Sequence, residues 1–127
     1  MTLEDNKYLV LRFARNVFDE GSIDDVSRYL APDFFNHATG LAGVDHYKET
    51  IRAARKLLNA PNVVDQVLAD GDLVLQGIRY QPTGRTFSTQ HVHLFRLRDN
   101  AIVEHRAIRD DFSMLKQLGI VTLATPD

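Results

Sequence analysis

The stretch FSTQHVHLFRLRDNAIVEHRAIRDD, from Phe87 to Asp111, is expected to put two histidines, an arginine and an aspartate on one face of a single hairpin. Imidazoles and carboxylates are the side chains that most often move protons, and a guanidinium is the natural partner of an anion. Alternation of apolar and polar residues on both sides of Asp99-Asn100 predicts two strands, Phe87–Leu97 and Ala101–Arg109, joined by a tight two-residue turn. With that turn, Arg98 pairs with Ala101, His93 lies opposite Arg106, His91 opposite Ile108 and Thr89 opposite Asp110. Side chains alternate along a strand, so Thr89, His91, His93, Phe95, Leu97, Ile102, Glu104, Arg106, Ile108 and Asp110 are expected on one face. Such a face makes a poor core and a poor solvent surface, but a good pocket wall. A one-residue bulge would scramble the set. The spacing His91-x-His93 also suits a metal ion, with Asp110 or His37 to complete the ligands, but no third ligand is fixed by spacing and no metal is expected.

The elements that must position these groups are legible upstream. Leu3–Glu20 carries Tyr8, Leu11, Val17 and Phe18 at helical spacing, with Gly21 as a stop. Ser22 caps a short helix, Ile23–Leu30, which Pro32 ends. Asp33–His37 reads as a brief extended piece, followed by a loop with Gly40 and Gly43. A longer helix, capped by Asp45, runs to about Asn59 with Tyr47, Ile51, Ala54, Leu57 and Leu58 on its apolar side. Beyond it the period changes to two. Val63–Leu68 and Leu73–Tyr80 flank the turn Ala-Asp-Gly-Asp, and Pro82-Thr-Gly84 marks the next turn. Phe112–Leu118 forms a last helical turn, capped by Gly119. Helices first and antiparallel strands after them predict an α+β fold, a curved sheet with helices packed over one side.

Composition narrows the partners. The chain of 127 residues is expected to be a single domain over 1–127, with its core about 3–119 and a short C-terminal tail. A net charge of −2 and no basic block argue against a nucleic acid or an anionic membrane as partner. Arg52-Ala-Ala-Arg55-Lys56 reads as a solvated helix face. The absence of cysteine excludes disulfides and thiolate chemistry. No stretch is apolar enough to cross a bilayer or serve as a signal peptide, so a cytoplasmic location is expected.

The ordered series LAPDFFNH, Gly-rich loop, long helix, ADGD, HLFRLRDNAIVEH and DDFSMLKQLG resembles the SnoaL-like polyketide cyclases of the nuclear transport factor 2-like superfamily. The resemblance runs from about Leu9 to Gly119. It implies a cone: a bent sheet wrapped by helices around a cavity that takes a small-molecule substrate, dimeric through the outer face of the sheet. It also implies cofactor-free chemistry, with Asp110 as general acid/base removing a proton next to a carbonyl. His91 or His93 assists, and Asn36 or His37 near the start of the sheet faces the pocket. Aldol cyclisation, isomerisation or a related hydrolysis or dehydration fits that set. Desolvation in an apolar cone strengthens a carboxylate as a base, and Phe95 and Ile108 supply apolar wall around it. Arg106 stands where many relatives carry Trp, which favours an anionic group on the substrate. Phe13 and Ala14 stand where some cyclases place a cavity tyrosine.

Each assignment has a plainer competitor. Asp110 could simply cap the last helix, the histidines could be half-buried sheet residues, and Glu104 could pair with a cation on a neighbouring strand. His105 is expected on the opposite face, with Val103 and Ala107, in a structural or interface role. His46 is expected at the surface. A non-catalytic ligand-binding or dimerisation domain of the same fold is the alternative reading.

Overall fold

The computed structural model describes residues 2–19, 22–58, 63–80, 89–117 and 119–122. Helix α1, Leu3–Phe13, opens with a reciprocal cap in which the Asp5 amide donates to the Thr2 hydroxyl and the Thr2 amide donates to the Asp5 carboxylate. The chain then widens into a π-helical stretch, Ala14–Asp19. Ser22 caps a 3-10 helix over Ile23–Arg28. Strand β1 follows, Leu30–Asn36, longer than the extended piece expected at Asp33–His37 because it runs through Pro32 from Leu30. A two-residue strand β2, Leu41–Ala42, precedes helix α2, Val44–Leu58. Strands β3 (Val63–Asp70), β4 (Leu73–Tyr80), β5 (Thr89–Arg98) and β6 (Ala101–Arg109) follow, and helix α3, Asp111–Gln117, ends the described architecture. The stop at Gly21, the turn at Pro82–Gly84, and the side chains of Phe18, Leu57, Leu58 and Phe87 lie outside the described residues.

The strands form one curved, unclosed sheet in the order β2-β1-β6-β5-β4-β3. It is mixed rather than purely antiparallel, because β1 runs parallel to β6. Register irregularities in the β1–β6, β3–β4 and β5–β6 pairs bend it, since an extra residue in one strand sharpens the local twist. The inner face packs against the helices: Val74, Phe95, Leu97 and Ile102 from the sheet meet Val10, Phe13, Val17, Tyr47 and Ile51. Phe13 sits at the centre, its ring 5.7 Å from Tyr29, 6.2 Å from Tyr47 and 5.8 Å from Phe95. Aromatic contacts at these distances hold the helical layer to the sheet.

The β5–β6 hairpin turns at Asp99 and Asn100, both at positive φ, and Arg98 pairs with Ala101 as expected. The register beyond it is different. Leu97 pairs with Ile102, but Arg96 pairs with Glu104, so Val103 is an extra residue in β6. His93 therefore lies opposite Ala107 and His91 opposite Arg109, rather than opposite Arg106 and Ile108. The physical reason lies in the consecutive apolar pair Ile102–Val103, 0% and 7% exposed, which a bulge allows to be buried together. Uninterrupted alternation would also have pushed Glu104 and Arg106 against Phe95 and His93, at the heavy cost of burying charge.

Candidate active site

The shifted register decides which groups face inward. His105, Ala107 and Arg109 of β6 join His91 and His93 of β5 around a cavity of about 120 Å3, closed by Asn36 at the end of β1, by Ala38 and Thr39 after it, and by Tyr47, Thr50, Ile51 and Ala54 of α2. A larger groove of about 390 Å3 lies beside the hairpin turn, but its charged side chains Asp72, Arg98 and Asp99 are exposed. Buried titratable groups gather only at the smaller cavity among these two, and that is where unusual chemistry can arise.

Two of those groups form a directed chain with Asn36. His93 Nδ1 lies 2.7 Å from His105 Nε2, and His105 Nδ1 lies 2.8 Å from Asn36 Oδ1. The backbone N–H of Ala38 donates to the same Asn36 oxygen at 3.1 Å, which fixes the orientation of the amide. An oxygen only accepts, so His105 Nδ1 carries a proton. In the neutral ring His105 Nε2 then accepts, and His93 Nδ1 must donate to it. The chain ends in a lone pair on His93 Nε2, a buried atom with no hydrogen-bond partner among the described residues. Buried polar atoms are nearly always paired, so an exception at a cavity wall marks a place for chemistry or a ligand. Gln76, directly across from His93 on β4, leaves its Nε2 in the same state.

The histidines are held neutral. Burial pushes His91 down to about 4, helped by the charge of Arg109 and opposed by Asp111. Burial also brings His105 to about 4, with His37 adding repulsion. His93 lies well below the ordinary imidazole range through burial first, then His105, His91 and Arg109. Phe95 lies beneath, its ring 6.2 Å from His93 and 5.1 Å from His105, and supplies the apolar floor that strips water from both.

Measured against the expected set, the structure brings together His91, His93, Phe95 and Asn36 and separates the rest. Asp110 is exposed; its carboxylate accepts from the Ser113 amide at 3.1 Å and caps α3, so it stands as a helix cap and not on the cavity wall. Arg106 is exposed on the outer face, and Ile108 is 67% exposed there; neither lines the cavity. His37 is exposed as well, with Nε2 3.8 Å from the Glu104 carboxylate. The one-residue shift at Val103 accounts for Arg106, Ile108 and Asp110 together. Glu104 pairs with Arg96 at 3.1 Å, as its plainer reading held, and His46 is at the surface. His105, expected on the opposite face, is instead the centre of the chain. With both of its nitrogens engaged, and with His37 and Asp110 elsewhere, the companions offered for His91-x-His93 do not complete a metal ligand set, and no group of three or more His, Asp or Glu side chains among the described residues is placed to hold a metal ion. His105, Ala107 and Arg109 were missed; the signal available was the Ile-Val doublet that interrupts alternation.

The fold has relatives. Over 82% of its length and 90% of the other's, the chain is 31% identical to the nogalonic acid methyl ester cyclase of Streptomyces nogalater. A SnoaL-like polyketide cyclase from Agrobacterium tumefaciens superposes with a TM-score of 0.76 at 12% identity, over 94% of this chain and 99% of that one. A de novo designed protein with a curved β-sheet superposes almost as well, with a TM-score of 0.75 at 20% identity over 95% and 100% of the two chains, so the shape by itself carries no activity. Sequence carries more: residues 8–118 match the family model described as SnoaL-like polyketide cyclase, and the chain belongs to that family.

Proposed function

We propose that the protein catalyses carbon–carbon bond formation within a small carbonyl compound, with the His93–His105 pair rather than Asp110 as its proton carrier. The observation that carries this reading is the directed chain from Asn36 through His105 to the open lone pair on His93 Nε2. In the proposed step His93 Nε2 removes a proton from a carbon beside a carbonyl. The resulting enolate carbon attacks a second carbonyl of the same molecule, one carbon–carbon bond forms, and His93 returns its proton to the new alkoxide. His105 shares the positive charge through the 2.7 Å contact while it exists. Burial makes imidazole a weak base, but the same burial leaves its lone pair unprotonated at neutral pH and makes its imidazolium a strong donor to the alkoxide.

Heptane-2,6-dione, which closes to a six-membered ring by an intramolecular aldol step, is a suitable probe. The wild type is expected to accelerate closure and to exchange deuterium next to the carbonyl; His93→Gln is expected to lose about 10²–10⁴-fold. Asp110→Asn is expected to keep the wild-type rate. Loss of turnover in Asp110→Asn restores the aspartate mechanism and sinks this one. A non-catalytic ligand-binding domain is the second reading, favoured by imidazoles held this far below neutrality, which suit hydrogen bonding as well as proton transfer. It takes over if the probe binds without exchange or closure.

The outer face of the sheet supports a homodimer. Leu68 and Ile108 are 59% and 67% exposed, and the cross-strand pairs Leu68–Leu75, Leu75–Leu94 and Val92–Ile108 continue the apolar surface between them. Ile108→Glu is expected to convert dimer to monomer in sedimentation equilibrium; a wild type that sediments as a monomer refutes the pairing.

A further inference from the structure

Arg109 is the one cation among the described residues that line the cavity, and no carboxylate lines it with them. The other polar groups there are neutral: the histidines, Asn36, Thr39, Thr50 and Tyr47. Arg109 stands opposite His91 at the end of β6, its side chain 46% exposed, so it marks the mouth rather than the floor. Among the described residues its guanidinium is engaged through Nε alone, with the Asp111 carboxylate at 3.1 Å. The Nη edge is left facing no described partner, and that edge is the one that grips a carboxylate with two parallel hydrogen bonds. The charge already reaches inward, since it helps to lower His91 and His93.

We propose that Arg109 sets the specificity of this cavity, and that the ligand is a small oxo-carboxylate whose anionic end sits on the guanidinium while its carbonyl end reaches the histidines. The inference deepens the function proposed above and relies on the same cavity as the ligand site. A volume of about 120 Å3 admits a short chain or a single ring, and Ile51, Ala54 and Ala107 give its carbon skeleton an apolar wall. Arg106, the arginine that the sequence offered for this task, faces away; the bulge at Val103 exchanges it for Arg109.

The test compares 3-oxohexanoate with its methyl ester, which keeps the skeleton and deletes the charge. Binding is followed through the imidazole resonances of His91, His93 and His105 in the full chain. The wild type is expected to hold the acid about tenfold more tightly than the ester. Arg109→Gln is expected to abolish that preference, and Arg109→Lys to restore part of it, because lysine keeps the charge and loses the fork. Thermal melting of both variants checks that they fold. Equal affinities in the wild type, no shifts from either compound, or a preference that survives Arg109→Gln each overturn the proposal. Because the readout is binding, the two ideas fail separately. An acid preference without turnover sinks only the catalytic reading, and turnover of heptane-2,6-dione without an acid preference sinks only this one.

Discussion

Beyond its bulge, β6 presents His105, Ala107 and Arg109 on one face and Glu104, Arg106 and Ile108 on the other. Each face carries one titratable side chain, one arginine and one aliphatic group. Their composition is nearly the same, yet only one face lines the cavity. Outside, Glu104 pairs with Arg96 at 3.1 Å in a contact that water screens, the kind of exposed pair that contributes little. Inside, His105 is buried, hydrogen-bonded through both ring nitrogens and held neutral. Solvent exclusion, not residue type, makes the difference.

Acid should break that equality most strongly. His105 has its folded-state value lowered from 6.5 to about 4, so between those limits the unfolded chain binds a proton that the native chain refuses. Stability is therefore full above the unfolded value and falls as pH drops through the window, by on the order of 3 kcal/mol for His105 alone. His91 and His93 are lowered as well and act in the same direction. Urea unfolding at neutral pH and at steps down towards 4 measures the slope, and His105→Gln should flatten it. Exposed carboxylates such as Asp33, lowered by Arg98, lose their contribution only as pH falls below the histidine window. A stability that stays level from neutral pH down to about 4.5 would contradict the buried, neutral His105.

Next in size is the anchor of the chain. Asn36→Ala removes an oxygen that serves both the His105 ring and the Ala38 amide, leaving donors without partners in a buried place. The expected loss is about 1–3 kcal/mol, visible as a lowered Tm. The ¹⁵N shifts of His105 should also change, because its tautomer is no longer dictated. An unchanged spectrum would mean that another group fixes the ring.

Much of this fold was readable from periodicity and turn chemistry. The positive-φ pair Asp99–Asn100, the bounds of β4 and β6 and the long helix ahead of β3 all follow from local rules, whereas β1 and β2 come before that helix and not after it. The parallel pairing of β1 with β6, which sets Asn36 beside His105, does not. It joins residues 69 positions apart, and no local signal specifies such a contact. The site was half legible for a related reason. His91 and His93 follow from period two, whereas every assignment on β6 depended on one inserted residue, and a shift of one exchanges faces. Asp110 shows the limit of a positional argument. Its type suited a base and its place in the chain suited a helix cap, and geometry put it at the cap. Asp110→Ala is expected to cost about 1 kcal/mol in a thermal or urea melt, while heptane-2,6-dione closure continues at the wild-type rate.

The smallest effect tests the comparison most directly, because it pits two arginines three residues apart. Arg106 is exposed on the outer face, and substitutions at such positions usually change stability by less than about 0.5 kcal/mol. Arg109 shares its strand and its charge but lies opposite His91 at the cavity mouth. If the bulge at Val103 assigns the two faces as described, Arg106→Ala leaves the affinity for 3-oxohexanoate unchanged, while Arg109→Gln removes the preference for acid over ester. Equal losses from both variants would mean that long-range charge, not position, attracts the anion, and raising the salt concentration would then weaken wild-type binding to the same extent. A loss from Arg106→Ala alone would place the uninterrupted register in solution, with Asp110 returned to the inner wall.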